Sequence, residues 1–155
     1  MKLFIKSEEG LSTTAYLDGD EVAVGYGHHV CNTPYQWIQN LYPGDVITVE
    51  VADLLFDYDM LNLVWPGIES VKKDIGYGYP QNVYDVMGSI IYNIGLGGLK
   101  SSSFYKNFVN KNYVNAFSDL LMLKSKDKGV FTRRQQELKI LLENFDFTQC
   151  RYRTN

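Results

Sequence analysis

The sequence predicts an α+β fold, a mostly helical two-lobed domain with a small N-terminal β-hairpin and a cleft between the lobes. Three observations predict it. Apolar residues recur at helical spacing through most of the chain, and Val83, Val86, Met87, Ile90, Ile91 and Ile94 form the widest stripe. One early segment breaks that period, where the β-prone runs Ala15-Tyr16-Leu17 and Val22-Ala23-Val24 flank Asp18-Gly19-Asp20. The chain has 155 residues, 45% of them hydrophobic, enough to close a core without disulfide or metal staples. A single domain follows, with a small hairpin lobe over 12–47, a helical lobe over 1–11 and 66–155, and a long helix over 48–65 joining them.

Each element has a local reason. Leu3 to Leu11 reads as a short helix closed near Gly10, because glycine takes the left-handed conformation that ends a helix at no steric cost. The hairpin follows. Thr33 as N-cap, with Pro34 at the first helical position, opens a short helix through Trp37 to Leu41. Thr48 caps a longer helix in which Val51, Leu54, Leu55, Tyr58 and Leu61 share a face, and Trp65-Pro66-Gly67 ends it. The central helix through Ile94 is stopped by Gly95, Gly97 and Gly98. Ser101 to Ser103 caps a helix through Val109, and Tyr113 to Leu123 forms the next. Thr132 with Gln135 makes a capping box for the last helix.

Composition removes several function classes. The longest purely apolar run near the start is Leu3-Phe4-Ile5, too short for a signal peptide or a membrane span, so no membrane insertion is expected. The net charge of -3 divides into -8 over residues 1–75 and +5 over 76–155, a basic half suited to a polyanion. Nucleic acid is not the expected partner, since the whole is acidic and carries no zinc-finger spacing or basic helix stripe. Cys31 and Cys150 lack C-x-x-C spacing and read as reduced thiols of a cytoplasmic protein. Lys100 stands where a G-x-G-x-x-G loop starting at Gly95 needs its last glycine. His28, His29 and Cys31 make no metal site, because adjacent side chains on a strand point to opposite faces, and no cofactor is expected. With two histidines and no G-x-S-x-G elbow, a serine triad is not expected either.

Carboxylates remain as reagents, because cleaving a glycoside needs one protonated acid for the leaving oxygen and a second carboxylate across the scissile bond. Glu9, directly before Gly10, and Asp18 in the hairpin are the candidate pair. Spacing alone does not separate them from solvated surface acids.

Read as a string, the region resembles the phage lysozyme (endolysin) muramidases of glycoside hydrolase family 24. Glu8-Glu9-Gly10-Leu11, Ala15-Tyr16-Leu17-Asp18 and Val24-Gly25-Tyr26-Gly27-His28 are similar to the family's E-G, A-Y-x-D and I-G-Y-G-H blocks. Gln81-Asn82, Asp85, Ser89 and Tyr92-Asn93-Ile94-Gly95, followed by Gly97, Leu99 and Ser101 to Ser103, look like its central helix and the segment after it. Gly129-Val130-Phe131 with Arg133-Arg134 and Glu137-Leu138 is similar to its late block. The resemblance implies a lysozyme-like fold. It also implies cleavage of the β-1,4 bond between N-acetylmuramic acid and N-acetylglucosamine in bacterial peptidoglycan, with inversion at the anomeric carbon. Carried over by position, Glu9 is the general acid and Asp18 the carboxylate facing it. The acidic surroundings and a partly buried helix end favour the protonated Glu9 that this chemistry needs.

One position departs from the family. Ala23 stands where the family carries a threonine whose hydroxyl helps hold the attacking water, and a methyl group forms no hydrogen bond. Asp20 or Glu21 is the candidate substitute, with solvated loop acids as the alternative. Two other outcomes stay open: a weakened or inactive module that binds glycan without cutting it, and a lytic transglycosylase working with one glutamate. His28 is expected to brace the hairpin against the other lobe. Tyr26 stacks on a sugar or packs in the core, and Asn93 bonds an acetamido group or caps its turn. Arg133 and Arg134 open the last helix and either seek a partner such as Glu9 or remain solvated. A phage enzyme of this kind, starting at Met1 without an export segment, is expected as a monomer in the host cytoplasm that reaches the wall through a separate holin-type pore.

Overall fold

Helix α1, Lys2–Glu9, stops where Gly10 takes a φ of +70° and sends its N–H to the Lys6 carbonyl at 3.1 Å. The computed structural model describes residues 1–124 and 128–146. Its chain divides into two compact units, Lys2–Asn62 and Met1 with Leu63–Asn155. Cys31 is an exposed free thiol, and Cys150 lies outside the described residues.

The first unit carries the sheet. Strands β1 (Ser12–Asp18), β2 (Glu21–Gly25) and β3 (His28–His29) run antiparallel in the order β1-β2-β3. The predicted hairpin is β1 and β2. Strand β3 is an addition, two residues long and therefore too short to show a period in the sequence. Ala15, Val24, Val30, Ile38, Ile47, Ala52 and Leu55 form the core of this unit, with Val22 and Tyr26 partly buried against it. Gly25 is required there on two counts. Its φ is +72°, and an added Cβ would sit 3.3 Å from the Ala52 Cβ on the helix behind.

Two sequence expectations shift in this unit. Thr33 does not cap a helix at Pro34; its Oγ1 accepts the Tyr35 N–H at 3.3 Å in a turn, and helix α2 is Gln36–Gln39. A 3-10 turn, Val30–Asn32, already precedes that turn, so the proline falls in the connection. Helix α3, Val49–Asp59, is capped by Thr48 as expected, with the Val51 N–H on its Oγ1 at 3.3 Å. Its buried face, however, is Ala52, Leu55 and Phe56, while Leu54 and Leu61 are exposed. Leu54 lies two positions from Ala52, about 200° round the helix, so it cannot share the face that meets Val24 and Ile38.

Trp65-Pro66-Gly67 does not end the helical run. A π-helical turn, Met60–Val64, leads directly into α4, Trp65–Ile75. Proline is tolerated in a first turn because its missing N–H would have no intrahelical partner there. Gly67 is buried, and a Cβ on it would come within 2.9 Å of the Ile91 Cδ1, so the glycine lets α4 approach the next helix closely.

That next helix is α5, Gln81–Ser101, whose apolar stripe is the core of the second unit: Val83, Met87, Ile90 and Ile91 have no exposed surface. The expected glycine stop is a break. Gly95 adopts φ 74° and ψ 162°, and the helix then resumes to Ser101. Ser102 caps α6, Ser103–Val109, through the Tyr105 N–H at 3.1 Å, and α7 is Tyr113–Met122. Phe104, Phe108, Tyr113 and Phe145 build an aromatic cluster with ring centroids 4.9 to 6.3 Å apart. Helix α8, Lys128–Leu142, already contains the predicted capping box. Thr132 lies inside it and donates its hydroxyl back to the Lys128 carbonyl at 3.1 Å.

Asp74 at the end of α4 ties three helices together. It receives Lys100 of α5 at 2.8 Å and the Tyr105 hydroxyl of α6 at 2.6 Å. The Lys100 hydrogen bond first, and the Tyr105 bond next, hold its carboxyl below the ordinary aspartate value. Burial, with that same carboxylate beside it, pushes the Tyr105 phenol up. A depressed carboxylate stabilises the fold above its unfolded-state pKa of about 3.9, and the contribution is lost as pH falls through its lower folded value. Asp74→Asn should therefore be less stable than wild type at pH 7, and urea midpoints of the two should converge below about pH 3.9. A gap that stays constant down to acid pH would remove the ionic contribution.

Candidate active site

Both predicted carboxylates end an element of the first unit. Glu9 is the last residue of α1 and partly buried, and its Oε2 lies 3.8 Å from where a Cβ on Gly27 would be. Asp18 is the last residue of β1, its side chain 60% exposed, and it pairs across the hairpin with Glu21. The turn between them is Gly19-Asp20, where Gly19 takes a φ of +63° and Asp20 is exposed. Tyr16 reports on both carboxylates. Burial pushes its phenol above the ordinary tyrosine value, and the charges of Asp18 and Glu9 push it the same way.

The sheet register sets which side chains share a face. Tyr16 pairs with Ala23, and Ala23 pairs with His29, so these three make one row across the sheet. Asp18 and Glu21 make the adjacent row on the same face, two residues along each strand. His29 reaches that row from β3, with Nε2 3.4 Å from Asp18 Oδ2 and Nδ1 2.5 Å from Glu21 Oε2. The second contact is a close charge approach without the alignment of a hydrogen bond. Ala23 itself has no exposed surface. His29 was absent from the sequence candidates. Its signal was nevertheless present, because alternation along a strand sends His28 and His29 to opposite faces.

His28 is the inward one of the two. It is buried, and its Nδ1 lies 2.9 Å from both carboxylate oxygens of Asp59 on α3, so the brace runs within the first unit. Tyr26 is also held: its ring meets Phe56 edge-on at 5.4 Å, and the Lys6 ammonium sits 4.7 Å from its centroid. Lys6 bonds Asp53 at 2.6 Å. That bond first, and one from Tyr26 after it, keep the Asp53 carboxyl below its ordinary value.

The remaining predicted residues lie in the second unit. Arg133 and Arg134 do not open α8 but sit in its second turn, both buried, around the fully buried Glu137. Glu137 Oε1 accepts from Ser89 Oγ at 2.6 Å and from Arg133 Nε at 3.2 Å, and Oε2 accepts from Arg134. Arg134 also donates to the Leu123 carbonyl at 3.2 Å and to Asn93 Oδ1 at 2.6 Å. Asn93 is thus held by an arginine that a buried glutamate orients. Among the described residues no group of three or more His, Cys, Asp or Glu side chains is arranged to hold a metal ion, and no helix is long and apolar enough to cross a membrane.

Comparison with known proteins bears on the family and the fold. The family model described as phage lysozyme matches residues 6–137. The endolysin of Bacillus phage B103 is 32% identical over 145 residues, which cover 89% of this chain and 51% of that protein. The chain therefore spans about half the length of that relative. The endolysin of Acyrthosiphon pisum secondary endosymbiont phage 1 is 30% identical over 152 residues, covering 92% of this chain and 94% of that protein. Among solved structures, the muramidase domain of SpmX from Asticaccaulis excentricus superposes with a TM-score of 0.72 at 25% identity, covering 91% of this chain and 93% of that one. With its mostly helical architecture, its small antiparallel sheet and a match over most of its length, this chain has a lysozyme-like fold and belongs to the phage lysozyme family.

Proposed function

We propose that the protein is a peptidoglycan hydrolase, a muramidase that cuts the β-1,4 bond between N-acetylmuramic acid and N-acetylglucosamine with Glu9 and Asp18. The observation that carries this reading is the phage lysozyme family match over residues 6–137, within which Glu9 ends α1 and Asp18 ends β1 of the same unit. Glu9 protonates the leaving glycosidic oxygen as the bond from that oxygen to the anomeric carbon breaks. A water oxygen bonds to the anomeric carbon from the opposite face and gives its proton to Asp18, whose exposure leaves it open to that water.

Other groups support the pair. In the second unit Asn93, its carbonyl oxygen fixed by Arg134, is the candidate residue for hydrogen bonding to an acetamido group. Tyr26 contributes through its place beneath Lys6 and against Phe56, which keeps α1 and α3 against the sheet that bears Asp18. The likeness to phage endolysins also supports synthesis in a host cytoplasm and passage to the wall through a separate holin-type pore.

Mass spectrometry of fragments released from purified peptidoglycan tests the reading. Soluble muropeptides with reducing muramic acid ends are the expected product. Anhydro ends would replace the hydrolase with a transglycosylase, and retention on the wall without release would replace it with a binding module.

A further inference from the structure

Position 23 carries a methyl group where the family resemblance implies a hydroxyl, and the side chain beside it across the sheet is an imidazole. Resting on the hydrolase reading above, we propose that His29 is the residue that positions the attacking water together with Asp18. His29 pairs with Ala23 and extends from there to both carboxylates of the neighbouring row. The charged groups that face it are Asp18 from β1 and Glu21 from β2, while Asp59 of α3 bonds His28 instead.

The two ring nitrogens face different carboxylates, and the proposed role uses the ring with a single proton. A neutral imidazole has one donor and one acceptor nitrogen, assigned by what each faces. Nδ1 is shut off from solvent against the Glu21 carboxylate, so the ring proton is assigned there. Nε2 then offers a lone pair on the side of Asp18. Two acceptors 3.4 Å apart can each receive one hydrogen of the same water at an ordinary distance of about 2.8 Å. Such a water keeps an oxygen lone pair free for the anomeric carbon. As that oxygen bonds to carbon, one proton passes to Asp18, and the hydrogen held by Nε2 stays on the new hydroxyl. His29 keeps its own proton on Nδ1, and Glu9 supplies the leaving oxygen with its proton. Glu21 therefore acts through His29, and the exposed turn residue Asp20 is not needed.

The test compares wild type, Glu9→Gln, His29→Phe and the double variant Ala23→Thr with His29→Phe. The readouts are kcat and KM for release of reducing ends from purified peptidoglycan, with retention on the wall and the thermal midpoint measured for each protein. His29→Phe keeps the ring's bulk and removes both nitrogens. It should lower kcat about 100-fold with KM and wall retention unchanged, the scale of one lost proton-handling group. Adding Ala23→Thr should recover at least about tenfold of that loss, since a hydroxyl returns to the same row of the sheet. An unchanged kcat in His29→Phe, a loss of retention and midpoint in step with kcat, or no recovery in the double variant would each overturn the role of His29. If Glu9→Gln is as active as wild type, the hydrolase reading itself falls, and the role of His29 falls with it.

Discussion

Glu9→Gln is expected to lower the release of reducing ends by about three orders of magnitude while leaving the fold intact. Glutamine preserves the shape and volume of the side chain against Gly27, so the packing at the end of α1 survives. What it removes is the transferable proton. Without that proton the sugar oxygen leaves as an alkoxide, and the other contributions to catalysis act on a bond that does not break. The loss should appear in kcat with KM nearly unchanged, because in the proposed mechanism Glu9 acts on the leaving oxygen as the bond breaks and not on the resting substrate. A variant that binds the wall normally and still releases fragments at the wild-type rate would remove Glu9 from the reaction.

The largest effect on stability is expected at Glu137. Its carboxylate has no exposed surface and is shared by two buried guanidiniums and the Ser89 hydroxyl. Glu137→Gln keeps the volume and removes the carboxylate that Arg133 and Arg134 share, so the fully buried Arg134 guanidinium loses its ion pair with Glu137. Breaking a buried pair by removing one partner costs about 3–5 kcal/mol, because the remaining charge stays desolvated. For a chain of this size that is a fall of about 10 °C in the thermal midpoint. Calorimetry or urea unfolding reads it directly, and a change under about 1 kcal/mol would show that the charges are solvated or compensated elsewhere. The same substitution loosens Arg134 and with it the bond that holds Asn93.

The sequence by itself determined the fold class, because its signals are local. The period of the stripe from Val83 to Ile94 needs a helix whatever packs on it, Asp18-Gly19-Asp20 between two β-prone runs needs a turn, and Thr48 and Ser102 cap through bonds to residues three positions ahead. Glu9 and Asp18 entered as candidates by another route, the likeness of their short motifs to the phage lysozyme family, since spacing alone does not separate them from solvated acids. What failed were inferences in which a distant partner decides. Leu54 and Leu61 fit an apolar period but face away from the sheet, and Pro66 looks like a stop but opens α4 because a π-helical turn had already shifted the register. Thr132 with Gln135 spells a cap, yet both lie inside α8. The tertiary structure alone decided who meets whom: Glu137 with Arg133 and Arg134 on one helix against Ser89 on another, His28 with Asp59, and His29 with Asp18 and Glu21 across three strands. Helical and turn preferences are written in neighbouring residues, whereas a buried charge or a row across a sheet exists only once separate segments are paired in register.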